Sequence, residues 1–195
     1  MKKIIALLLL FCMMFCFVGC KEEKDNNSSA YEIDINYYLS AGMISEAKYA
    51  LGFDPDEIEK EAEQSGGEHT HEGGDGHEGI IEFQKFGNKD VYTVDGFYYC
   101  YKSGKESDGI SCIVGTDAVF GFTVGLSSKY EVNSAISELK PESSIADSKE
   151  FFYMPFALEG MDKLSVKNGK NILNFYFEND VLIAVSLYNS EKWEY

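Results

Sequence analysis

The chain has 195 residues, of which 45% are apolar and 26% charged, and its 33 acidic and 17 basic side chains leave a net charge of −16. That length supports one good-sized domain or two small units sharing a core. So acidic a balance argues against a surface for DNA, RNA or anionic lipid head groups and suits cations, basic partners or plain solubility.

Lys2 and Lys3 precede an apolar run over residues 4–18, and Gly19 then meets Cys20. This is a charged region followed by a hydrophobic region, the layout of an export signal, and the run is short for a membrane-spanning helix. Phe17-Val18-Gly19-Cys20 resembles the lipobox of bacterial lipoproteins, with Phe17 where Leu is usual. The resemblance implies removal of residues 1–19, attachment of palmitate-type acyl chains at Cys20, and display on the extracytoplasmic side of the cell membrane. The readings set against it are an uncleaved anchor and an ordinary secretory signal. Loss of the leader takes two lysines with it and deepens the net charge from −16 to −18.

With Cys20, residues 21–30, Lys-Glu-Glu-Lys-Asp-Asn-Asn-Ser-Ser-Ala, read as a flexible tether over 20–30, and the ten residues after Cys20 reach at most about 35 Å. From residue 36 to 51, Tyr38, Leu39, Met43, Ala47, Ala50 and Leu51 recur at a helical period. Asp54-Pro55-Asp56-Glu57 predicts a second helix start, continued by residues 58–64. Residues 65–79 are glycine-rich and predict a loop that holds all three histidines. Strand patterns follow at 80–86, 91–94, 97–102, 110–114 and 119–124. Ser127-Ser128-Lys129-Tyr130-Glu131 predicts a capping box, and Tyr130, Val132, Ala135, Ile136 and Leu139 continue a helix as far as Pro141. Strands resume at 151–156, 162–166, 172–177 and 181–187, the last two joined by the turn pair Asn179-Asp180.

The order is helix then β meander, twice over, and residues 115–124 can be laid on 178–187. The expected fold class is α+β: two tandem helix-plus-antiparallel-sheet units, a first at 31–126 and a second at 127–195, able to share one continuous sheet. Chance similarity between two hairpins is the competing explanation.

Once Cys12 and Cys16 leave with the signal and Cys20 takes lipid, Cys100 and Cys112 remain. A hairpin symmetric about Glu106 sets them opposite each other at disulfide separation. Two free buried thiols packing as small hydrophobes fit the sequence equally. No Cys-x-x-Cys redox motif is present.

The stretch 124–132, Val-Gly-Leu-Ser-Ser-Lys-Tyr-Glu-Val, resembles the helix entry of small outer-membrane-assembly lipoproteins and of the beta-lactamase-inhibitor-like fold. Residues 171–187 resemble the Phe-rich closing hairpin of the same group. The Gly-x-Pro usual after the helix is replaced by Leu139-Lys140-Pro141. The resemblance implies tandem units that present a sheet face to another protein, with recognition and not catalysis as the function.

Glu68, His69, His71, Glu72, Asp75 and His77 concentrate imidazoles and carboxylates within one short stretch. These are ligands that zinc and similar divalent ions accept, on a backbone whose glycines can wrap an ion. A solvated acidic loop with idle histidines is the plain alternative. Catalysis has little support: no histidine outside the loop can serve a Ser or Cys nucleophile, and no Gly-x-Ser-x-Gly or phosphate-binding glycine motif occurs. Tyr98, Tyr99 and Tyr101 are the candidates for an exposed aromatic binding face, set against the ordinary expectation that such residues form core and rim. The expected function is a lipid-anchored extracytoplasmic module that binds a protein partner at the cell envelope, with a zinc-binding lipoprotein as the alternative.

Overall fold

A computed structural model describes residues 33–64, 81–147 and 158–193. Asp34 accepts a hydrogen bond from the Tyr37 amide at 3.0 Å and starts helix α1, Ile35–Ala41. The apolar period predicts a helix to residue 51, but the helix stops at Gly42, which adopts φ +69° and returns its amide to Leu39. The chain then doubles back, and the Leu51 amide donates to the Gly42 carbonyl at 2.8 Å. Ala47 and Tyr49 are therefore buried from a series of turns and not from a helix. Helix α2, Pro55–Gln64, begins as expected, with Asp54 accepting from the Asp56 amide and acids filling the first turn.

Four strands follow as a meander: β1 Glu82–Phe86, β2 Lys89–Val94, β3 Phe97–Lys102 and β4 Cys112–Gly115. The β2–β3 turn is Asp95-Gly96, both at positive φ, which matches the twist of a tight hairpin. The expected strand at 119–124 is instead a small separate hairpin, β5 Ala118–Val119 and β6 Phe122–Thr123. Phe120 and Gly121 turn it at φ +54° and +75°, and Glu46 fixes it by accepting from both of their amides at 2.7 and 3.0 Å.

Helix α3, Lys129–Ala135, opens with the predicted capping box of Ser128 and Glu131. It gives way to a 3-10 turn at Ser137–Leu139, so the helix is shorter than its apolar spacing suggests. The remaining strands are β7 Glu142–Ile145, β8 Asp162–Asn168, β9 Asn171–Glu178 and β10 Val181–Asn189. The turn at Asn179-Asp180 has both residues in the left-handed region, as that pair favours.

The eight long strands form one antiparallel sheet in the order β1-β2-β3-β4-β10-β9-β8-β7, which establishes the α+β class. Each meander ends on the inside, and β4 pairs with β10 from Gly115↔Val185 to Cys112↔Tyr188. One face packs Tyr99, Ile113, Leu173, Phe175 and Leu187 under Leu39, Ile44, Ile58, Val132 and Ile136. The other face carries a second cluster of Val91, Cys100, Cys112, Val114, Tyr176 and Ala184, joined by Leu158 and Trp193. Strands covered on both sides need apolar residues at successive positions, which is why Phe97-Tyr98-Tyr99-Cys100-Tyr101 shows no polar alternation. The residues from Ile33 onward form one compact unit.

Candidate functional site

Cys20, the tether, Glu68, His69, His71, Glu72, Asp75, His77 and the expected strand at 151–156 lie outside the described residues. Among the described residues, no group of three His, Cys, Asp or Glu side chains converges as a metal site, and no helix is long and apolar enough to cross a membrane.

Of the aromatic face expected of Tyr98, Tyr99 and Tyr101, burial removes Tyr99 and Tyr101. Tyr99 is fully buried and Tyr101 nearly so, because both point toward the face that the helices cover. The Tyr99 hydroxyl accepts the Lys48 amide at 2.9 Å, and its ring meets Tyr49 edge-on at 5.1 Å. Tyr98 points to the opposite face and is half-buried against the second cluster. Tyr99 and Tyr101 are core and Tyr98 lies at the rim, and burial pushes the pKa of all three phenols up.

Cys100 and Cys112 stand directly opposite each other across β3 and β4, in the register expected of a hairpin centred on Glu106. Both are free thiols without solvent exposure, and burial raises the pKa of Cys112 well above the ordinary thiol value.

The exposed large apolar side chains among the described residues are Tyr37, Phe53, Leu126, Tyr130 and Ile145. Leu126, on the connection into α3, and Tyr130, in the first turn of α3, are 79% and 80% exposed, and Ile145 on β7 is 59% exposed. Sequence periodicity counts Tyr130 with the buried stripe. The helix instead seats Val132 and Ile136 in the core, and Tyr130, two residues before Val132, points away from them. Tyr130 lines an open cleft of about 620 Å³ with Ser128, Asn133, Ser143 and Leu164, between α3, the edge strand β7 and its neighbour β8.

Backbone bonds and charge hold this cleft in shape. The Lys129 amide donates to Asp180 at 2.8 Å, and the amides of Gly125 and Leu182 bond to Leu182 and Ser127 in turn, fastening the entry of α3 to the β9–β10 turn. The Lys129 ammonium pairs with Asp162 at 2.8 Å along one wall. The Glu131 carboxylate accepts from the Ser128 amide and hydroxyl, and these bonds hold its pKa below the usual carboxylate value. Apolar, hydroxyl and amide groups beside what is an edge strand among the described residues suit the docking of a polypeptide.

No protein-family model, curated protein or solved structure matches this chain.

Proposed function

We propose that the protein is a lipid-anchored module on the extracytoplasmic face of the cell membrane that binds another protein through the cleft beside β7. The observation that carries this reading is the strongly exposed ring of Tyr130 in the cleft beside β7, with exposed Leu126 on the same connection into α3 and exposed Ile145 on β7 itself. The partner offers an extended segment that lies along β7 and places an apolar side chain against Tyr130 and Leu164. The anchor follows from the leader and from Cys20 in its lipobox-like setting, and the polar tether lets the module stand off the membrane. In this reading the two halves are tandem helix-plus-sheet units of the outer-membrane-assembly or beta-lactamase-inhibitor-like kind. Support comes from the sheet order, in which each half supplies four strands in sequence and ends beside the centre. No enzymatic activity is proposed.

The test uses the tagged full chain in bacterial cells treated with a short chemical cross-linker. The native chain forms a discrete adduct with another protein, and the Leu126→Asp/Tyr130→Asp double variant loses it while keeping its folded circular dichroism spectrum. An identical adduct from the double variant overturns the reading.

A second reading rests on the confinement of all three histidines to residues 69–77 among acidic residues. There the chain captures or buffers zinc, with His69, His71 and His77 as ligands and Glu68, Glu72 and Asp75 in support.

A further inference from the structure

The two thiols of the second apolar cluster are not used by the binding surface, and their placement has its own chemistry. Cys100 and Cys112 are a direct cross-strand pair, so both side chains project from the same face of the sheet. Opposed residues in an antiparallel pair stand about 4.5–5.5 Å apart at Cα, within the range a disulfide spans. Both side chains are fully buried in the cluster that holds Val91, Val114 and Ala184. On the same cluster, the Lys89 ammonium sits 3.8 Å from the centroid of the Trp193 ring; burial keeps the Cys112 thiol protonated well above its ordinary pKa, and the Lys89 charge offsets this only in small part.

We infer that Cys100 and Cys112 are an oxidation site that closes into a cross-strand disulfide, tying β3 to β4 next to the β4–β10 seam. The oxidant is another disulfide, either a small-molecule disulfide or a protein oxidant of the same class. One cysteine thiolate attacks a sulfur of that disulfide; its S–S bond breaks and one thiolate leaves. The second cysteine, having lost its proton, attacks the mixed disulfide so formed, and the other thiolate leaves. Two cysteine thiols are oxidised, the oxidant is reduced to two thiols, and the two protons released are those the leaving thiolates take up. Because the sulfurs are buried in the folded sheet, the bond closes as the hairpin folds, and afterwards the apolar cluster shields it from reductant.

The test needs no knowledge of the partner or of the location of the protein. The full chain is reduced, unfolded and refolded in a buffer of oxidised and reduced glutathione. Remaining thiols are then alkylated in denaturant, and the digest is read by mass spectrometry. The expected result is one linked peptide joining Cys100 to Cys112, two mass units lighter than its reduced halves together, which reduction by dithiothreitol in denaturant followed by fresh alkylating agent converts to two alkylated peptides. Alkylation of both cysteines, or a separate glutathione adduct on each, overturns the inference. In a companion measurement the urea midpoint of the native chain falls when dithiothreitol is present, and that of a Cys100→Ala/Cys112→Ala variant does not. An unchanged native midpoint also counts against the bond. The peptide readout stands on the native chain even if the double variant does not fold.

Discussion

Tyr99 gives its ring to the core and its hydroxyl to the turn that follows α1, accepting the Lys48 amide at 2.9 Å. Tyr99→Phe keeps the ring and strands that amide, so urea unfolding should show a loss of about 1–2 kcal/mol. Tyr130 is the contrasting case, since 80% of it faces solvent, and Tyr130→Ala should change stability by no more than about 0.5 kcal/mol. The two substitutions together separate core aromatics from the proposed contact surface. Tyrosine also sets an alkaline limit. The phenols of Tyr49 and Tyr92 are pushed up to about 12, in both cases chiefly by burial, from an ordinary value near 10. A folded-state pKa raised above the unfolded value gives stability that is fully present below pH 10 and lost as pH rises toward 12. Stability measured from pH 9 to 12 should therefore fall through that window, and less steeply in Tyr49→Phe; a flat profile would show that these phenols ionise as freely folded as unfolded. The sequence disclosed that β3 is aromatic but not which way it faces, because a strand buried on both sides carries no alternation to read.

At the scale of elements, side chains that act on their own neighbours were the legible ones. Ser128 and Glu131 form the capping box their spacing announces, Asn179-Asp180 turns the last hairpin, and the Cys100–Cys112 register follows from symmetry about Glu106. Features set by distant contacts were not legible. Gly42 ends α1 in a left-handed conformation beside Leu51, and Phe120-Gly121 is turned back by Glu46 from 74 residues away. All four residues of the edge strand β7 are exposed, and Glu142-Ser143-Ser144-Ile145 offers neither apolar alternation nor β-branched density, so nothing local marks it as a strand. Replacing the cap, Ser128→Ala, should cost about 1 kcal/mol and loosen the floor of the cleft, as denaturant unfolding and amide exchange in α3 would report. The Glu131 pKa is lowered in the folded state, so its contribution is present above the ordinary carboxylate value of 4.5 and is lost as pH falls through the lowered value. The cost of Glu131→Gln should accordingly shrink in acid, and a cost independent of pH would separate the capping box from the carboxylate charge.

In one acidic chain the proposed leader and anchor cysteine precede a sheet whose described strands run from β1 at one edge to β7 at the other. The expected address rests on a compositional pattern, whereas the sheet order could not be read locally, because pairing β4 with β10 joins residues about seventy positions apart. The anchor predicts that an alkyne fatty acid fed to cells labels the native chain and that Cys20→Ala abolishes both the label and membrane fractionation. The zinc reading predicts saturable calorimetric binding to the full chain, weakening as pH drops through the histidine range near 6.5 and absent when His69, His71 and His77 are alanine. Unchanged binding in that variant would dismiss the loop. The most direct test of the account places a photo-cross-linking amino acid at Tyr130 in intact cells, with a matched substitution at exposed Lys170, at the opposite end of β9, for comparison. The account predicts a discrete adduct with one other protein from position 130 and none from position 170. Equal adduct patterns from the two positions, or no adduct from 130, would contradict it.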